Sequence, residues 1–232
     1  MTRRLRVNAG GYVYHVLNRA NARMRIFSTD GDYAAFEKVL AQACERTQMR
    51  LLSYCLMPNH WHLVLWPRND GDLSLFMGWL TMTHTQRWHT HHRTIGSGHL
   101  YQGRFKSFIV QGDSHFLTLC RYVEGNALRA HLVERAQQWR WCSLWLRTNE
   151  PSKGDTDIRL SKWPVERPDD WIRIVNKAQP DDELRKLHAC VRRDRPFGDP
   201  RWLARAVKRL GLESSIRPRG RPRKATPHNK GS

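Results

Sequence analysis

The chain has 232 residues, with 40 lysines and arginines against 21 aspartates and glutamates and a net charge of +19. That length supports one substantial core with extensions rather than two full domains, and the charge selects a polyanion partner, nucleic acid before an anionic membrane surface. No run approaches the roughly eighteen apolar residues of a membrane span, and the opening MTRRLRVNAGG lacks the apolar core of a signal peptide, so a soluble, cytoplasmic protein without membrane association is expected.

In chain order, GYVYHVLNRA alternates Tyr12, Tyr14 and Val16 with Val13, His15 and Leu17, the pattern of a first strand. After FSTDGD, where Ser28, Thr29 or Asp30 can cap a helix, DYAAFEKVLAQACERTQ sets Phe36, Val39, Leu40 and Ala43 at helical spacing. MRLLSYCLM and WHLVLWP read as two strands joined by a tight Pro-Asn turn, apolar enough for central places in a sheet. DLSLFMGWLTMTHTQRWHTHH, with Leu75, Trp79 and Met82 as its stripe, predicts a second helix, and the Gly-rich loop TIGSGHLYQGRF follows. KSFIVQG is a fourth strand. DSHFLTLCRYVEGNALRAHLV, opened by Asp113 or Ser114, carries Phe116, Leu119, Cys120 and Val123 as the buried stripe of a third helix. The order β-α-β-β-α-β-α fits an α+β fold, a ferredoxin-like antiparallel sheet with helices on one face, although pattern alone leaves other topologies open.

Charge divides the chain further. Residues 1–149 carry 19 basic and 9 acidic side chains, residues 150–191 carry 8 and 9, and residues 192–232 carry 13 and 3. This predicts a basic body over 1–149, a neutral, proline-containing connector or wrap over 150–191, and a basic C-terminal helix (DPRWLARAVKRLG) with a tail over 192–232. The five cysteines, Cys44, Cys55, Cys120, Cys142 and Cys190, are odd in number and form no C-x-x-C pair, so they should be reduced and mostly buried.

MPNHWHLVLW holds the chemistry. On a strand, residues two apart share a face, so His60 and His62 project together while Trp61 points away. Two neutral imidazoles side by side make half of a metal site, with paired structural histidines as the bland alternative. In the third helix Tyr122 and Asn126 are four apart and share a face, flanked by His115 and Arg129. A helix crossing the sheet would bring a phenol, an amide oxygen and a cation to the histidine pair; otherwise Tyr122 is one more half-buried helix aromatic.

MPNHWHLVL resembles the HUH motif of single-tyrosine HUH transposases, and CRYVEGNALRAHLV resembles that family's catalytic-tyrosine helix. YHVLNRANARMRIF and GHLYQGRFKSF are similar to the segments preceding those motifs in one branch, the REP-associated tyrosine transposases, over roughly residues 10–135. The match departs at Asn126-Ala127, where the family usually has Asn-Pro, and at Gly125, which costs about 1 kcal/mol relative to Ala in mid-helix.

The resemblance implies a catalytic domain over 1–149 that nicks and rejoins single-stranded DNA at hairpin-forming palindromic repeats. Tyr122 would be the nucleophile, forming a 5′-phosphotyrosine, and His60, His62 and Asn126 would hold Mg²⁺ or Mn²⁺. It also implies a monomer, a dimer exchanging tyrosine helices being the wider family's alternative, and use at the nucleoid. A non-catalytic hairpin binder and a replication-initiator or relaxase-like nickase are the competing functions.

For binding DNA, basic side chains interleaved with aromatics select Arg19 and Arg23 after the first strand and Arg104 and Lys106 before the third helix, with Arg129 beside the tyrosine. In the tail, Arg219, Gly220, Arg221 and Pro222 look like an AT-hook, an extended Arg-Gly-Arg suited to a narrow minor groove. His84, His89, His91 and His92 form a rival zinc cluster, but with no acid nearby in sequence they are read as a solvated, DNA-facing loop. His15, His99 and His131 are taken as incidental.

Overall fold

The computed structural model describes residues 7–149 and 156–217; Arg219, Gly220, Arg221 and Pro222 lie outside them. Four strands, β1 (Val13–Arg19), β2 (Arg50–Met57), β3 (His60–Trp66) and β4 (Lys106–Val110), form one sheet in the order β2-β3-β1-β4. Each neighbouring pair is antiparallel. With α1 (Asp30–Thr47) linking β1 to β2 and α2 (Asp72–His91) linking β3 to β4, this is the ferredoxin-like arrangement.

Local chemistry sets the boundaries. Thr29 caps α1 in a reciprocal box with Asp32, and Asp32 Oδ2 also accepts the Ser28 amide at 2.9 Å. Pro58 and Asn59 turn β2 into β3, and the Pro58 carbonyl accepts the amides of Ile26 and Phe27. Asp113 caps α3 (Ser114–Glu124) by accepting the His115 amide at 2.8 Å.

Both faces of the sheet are covered. Trp61, Leu63 and Leu65 meet Phe36 and Leu40 of α1 and Phe76 and Leu80 of α2, the single-sided packing expected of the crossover helices. The third helix, α3, covers the opposite face, where Phe116, Leu119 and Val123 meet Val13, Val64 and Phe108. Cys55, Met57 and Val64 make the second face of β2 and β3 apolar apart from Ser53 and the histidines, so it too needs a lid.

Two expectations are corrected. In α2, Leu75 and Met82 are 68% and 56% exposed, and the buried stripe is Leu73, Phe76, Met77, Leu80 and His84. Two overlapping rows satisfy helical spacing, and the row that buries more apolar area faces the core. The third helix also does not continue through Asn126: it ends at Gly125 (φ −85°, ψ 6°), and a short α4 (Asn126–Arg129) follows.

The remaining segments are short helices: α5 (Ser143–Thr148), α6 (Trp171–Asn176), α7 (Asp181–Arg193), α8 (Pro200–Leu210) and α9 (Glu213–Ile216). They pack back on the sheet. Trp163 Nε1 donates to the Leu52 carbonyl at 2.8 Å, and Phe197 exchanges backbone hydrogen bonds of 2.9 Å with the Ile109 carbonyl and the Gln111 amide beside β4. The five cysteines carry free thiols, four of them buried. Among the described residues no helix is long and apolar enough to cross a membrane.

Candidate active site

The strand period places His60 and His62 on the α3 face, their ring centroids 5.1 Å apart and nearly perpendicular. Each ring is tied at Nδ1. His60 Nδ1 lies 2.6 Å from Asn59 Oδ1, and His62 Nδ1 lies 2.8 Å from Nε2 of His15. Among the described residues neither Nε2 has a hydrogen-bond partner, so both can offer a lone pair to an ion. Burial lowers His60 to about 4 and, together with the charges of His15, His60, Arg129 and Arg19, holds His62 well below its ordinary range. Both imidazoles are therefore neutral near pH 7, the state a metal requires.

Tyr122 reaches this face from α3. Its ring stands edge-on to His62, centroids 5.7 Å apart, and the side chain is almost wholly buried. The Arg129 guanidinium lies 4.5 Å over the ring centroid and donates to the Tyr122 carbonyl. Burial raises the Tyr122 phenol above its usual value, while Arg129 and Arg19 pull it down. His188 of α7 closes another side at 5.9 Å.

Asn126 opens α4 half-buried, and its Nδ2 is buried without a hydrogen-bond partner among the described residues. A buried N–H donor of this kind costs roughly 1–3 kcal/mol, and an acceptor rather than a cation would relieve it. Two imidazoles tied at Nδ1 and a carboxamide oxygen are ligand types that a divalent ion accepts, the Nδ2 group of Asn126 being a hydrogen-bond donor that takes no part in ligation.

The turn between α3 and α4 is held from below. Glu124 is fully buried and accepts from Ser143 Oγ at 2.6 Å, Ser53 Oγ at 3.2 Å and Trp171 Nε1 at 2.6 Å, with Arg147 Nε at 3.9 Å. This carboxylate locks the tyrosine helix to β2, α5 and α6.

The residues selected for DNA contact separate. Strand register puts Arg19 opposite His60 and Lys106 opposite Leu17, so both exposed cations share the histidine face. Arg129 is half-buried and stacked on Tyr122. Arg23 is exposed in the 3-10 turn after β1. Arg104 lines an 880 Å³ groove on the α2 side of the sheet, with Asn18, Thr81, Met82 and His99.

The histidine-rich end of α2 is not a solvated loop. His84 is buried, its Nδ1 2.6 Å from the Tyr101 hydroxyl, which also accepts from Trp61 Nε1 at 3.0 Å. An acid absent from the local sequence arrives from α1: Asp32 Oδ1 sits 2.8 Å from His92 Nε2, and Asp32, His91 and His92 can each bring a ligand atom within 4.8 Å of the others. Although burial raises Asp32, hydrogen bonds from Ser28, Thr29 and His92 leave it below its ordinary value.

Two histidines at the site carried no usable sequence signal. His15, taken as incidental, touches His62, and a correct β1–β3 register would have found it. His188 comes from a stretch read only as a neutral connector.

A family model described as "Transposase IS200 like" matches residues 9–126. A curated REP-associated tyrosine transposase of Haemophilus influenzae is 21% identical over 117 residues, which cover 47% of this chain and 66% of that protein, just under two thirds of its length. A REP-associated tyrosine transposase solved bound to a REP hairpin superposes with a TM-score of 0.54 at 14% identity, covering 72% of this chain and 99% of that one. A transposase structure from Deinococcus radiodurans matches with a TM-score of 0.39 at 16% identity, covering 53% and 96%. With the family model spanning half of its length, and with similarity running to the REP-associated tyrosine branch, the chain belongs to the IS200-like transposase family.

Proposed function

We propose that the chain nicks and rejoins single-stranded DNA at hairpin-forming palindromic repeats through a covalent bond to Tyr122. The observation that carries this reading is the Tyr122 ring, 5.7 Å from His62 and edge-on to it, beside two imidazoles whose Nε2 atoms have no hydrogen-bond partner among the described residues. The relative solved with a REP hairpin and the net charge of +19 support a hairpin substrate.

His60, His62 and Asn126 would hold Mg²⁺ or Mn²⁺, which when bound supplies positive charge to a phosphodiester. Arg19 and Lys106, exposed on the same face, draw the DNA backbone toward it. The Tyr122 oxygen bonds to phosphorus as the bond from phosphorus to the 3′ oxygen breaks. The phenolic proton passes from Tyr122 to solvent water, and the departing 3′ oxygen takes up a proton from solvent to become a hydroxyl. Arg129 favours the phenolate that develops. Attack by a 3′-hydroxyl reverses the step and rejoins the strand without ATP, because the phosphotyrosine conserves the bond. Residues 1–149 would form the catalytic domain, 150–191 a wrap that lends it His188, and 192–232 a basic extension whose Arg219, Gly220, Arg221 and Pro222 add salt-sensitive minor-groove affinity. The chain would work as a monomer, with Tyr122 serving its own histidine pair, at the nucleoid.

The test is incubation with labelled single-stranded oligonucleotides carrying hairpin repeats from beside its gene, with Mg²⁺ or Mn²⁺, followed by denaturing electrophoresis. A covalent adduct lost in Tyr122→Phe and in His60→Ala is expected. Tight binding with no adduct under either ion would make the chain a non-catalytic hairpin binder.

A further inference from the structure

His15 sits on β1, 47 positions before His62, yet its Nε2 is 2.8 Å from His62 Nδ1 in a part of the sheet where His15 and His62 are 1% and 3% exposed. The pairing follows from register. His15 faces Val64 across β1 and β3, which makes it the diagonal, same-face neighbour of His62. Its ring is clamped in place, stacked at 5.1 Å on His62, tilted at 4.9 Å against Phe108 and edge-on at 6.3 Å to Tyr122.

Two neutral imidazoles joined at 2.8 Å must divide the roles, one nitrogen donating and the other accepting. A histidine that ligates through Nε2 carries its proton on Nδ1, which makes His62 the donor and His15 the acceptor. His60 shows the same pattern, its Nδ1 on Asn59 Oδ1, and the Asn59 amide is turned that way by its own contact to the Arg23 carbonyl at 3.4 Å. Partners of this kind orient metal-ligating histidines, and a carboxylate or a carbonyl usually fills the role. A neutral imidazole does so without adding negative charge where a phosphodiester has to enter.

We propose that His15 is the positioning residue of the metal site: by accepting a hydrogen bond from His62 Nδ1 it fixes the tautomer that turns the His62 Nε2 lone pair toward a divalent ion. The proposal rests on His60 and His62 being ligands, as set out under Proposed function.

The experiment is a titration of the full chain with Mn²⁺, read by electron paramagnetic resonance without DNA, on wild type, His60→Ala, His15→Phe and His15→Gln. It is paired with nitrogen-15 NMR of the imidazoles, which reads the His62 tautomer directly. His15→Phe keeps a ring but removes the acceptor, and should weaken Mn²⁺ binding by about 10–100-fold. His15→Gln supplies a carboxamide oxygen at similar reach, and should stay within about threefold of wild type. Wild-type His62 should be a single Nδ1–H tautomer before metal is added. Mn²⁺ binding by His15→Phe as tight as wild type, or an Nε2–H tautomer of His62 in wild type, would overturn the proposal. Should His15→Phe not fold, the wild-type tautomer and His15→Gln decide alone. Wild type that binds no Mn²⁺, or binds it equally well as His60→Ala, removes the ligand reading and the role of His15 with it. A metal-binding wild type whose affinity falls in His60→Ala but not in His15→Phe removes only the latter.

Discussion

Arg129 both stacks on Tyr122 and bonds to it: its guanidinium lies 4.5 Å over the ring centroid while a second nitrogen of the same group donates to the Tyr122 carbonyl. One side chain thus orients the phenol and opposes the burial that raises its pKa. A desolvated cation–π contact contributes about 2 kcal/mol, so Arg129→Ala should slow covalent adduct formation by about 10–100-fold in single-turnover assays. Arg129→Lys should recover only part of the loss, because an ammonium restores the charge but not the planar stack. An adduct rate unchanged in Arg129→Ala would show that the contact is only structural.

Gly125 tests the geometry of the break between α3 and α4. A Cβ there would come 3.0 Å from the Arg121 carbonyl oxygen and 3.0 Å from Arg129 Nη1. Alanine favours a helix by about 1 kcal/mol over glycine, yet it pushes on the guanidinium that covers Tyr122. Gly125→Ala should therefore leave the melting temperature within a few degrees of wild type and slow adduct formation, a divergence visible when both are measured on one preparation.

Glu124 tests the anchor. Removing a fully buried carboxylate leaves Arg147 without its anion and the Trp171 indole without its acceptor, while the Ser143 hydroxyl keeps the Tyr54 carbonyl and the Ser53 hydroxyl keeps Ser143. Breaking such a buried pair costs about 3–5 kcal/mol, the loss expected for Glu124→Ala in urea unfolding. Glu124→Gln keeps the shape and should lose less.

Stability should fall with acid, in part through His84. Burial lowers this histidine from 6.5 to about 3. As pH drops through 6.5 the unfolded chain takes up a proton that the folded chain refuses until about 3, so the stabilisation is fully present above 6.5 and is lost on acidification. At about pH 5 the share of His84 is roughly 2 kcal/mol. Urea unfolding at neutral pH and at about pH 5, with chelator present, should show a smaller acid loss in His84→Phe than in wild type by about that amount.

The exposed cations of the histidine face should act through salt. If Arg19 and Lys106 each neutralise one phosphate, Arg19→Ala and Lys106→Ala should each lower the slope of log affinity against log salt by about 0.7 for single-stranded DNA. Binding titrations at several salt concentrations read this directly, and a parallel loss of affinity at unchanged slope would place neither side chain on a phosphate.

The features legible in the sequence were those that a short window of chain dictates. A strand repeats every two residues, so His60 and His62 had to share a face and Trp61 had to leave it. Capping is also local, and Thr29 and Asp113 stand where it placed them. Local spacing became ambiguous where two apolar rows overlapped on α2, and total buried area chose between them. Spacing also could not show that the helix stops at Gly125, against which the Arg129 guanidinium packs closely enough to meet an added Cβ at 3.0 Å. The contacts that complete the site were beyond any window. His15 reaches His62 only through the β1–β3 register, His188 reaches Tyr122 from α7, and Asp32 meets His92 across 60 residues. Each depends on how the sheet pairs and which face each helix covers, a balance summed over the whole core, so the histidine pair could be read from ten residues while its partners needed the fold.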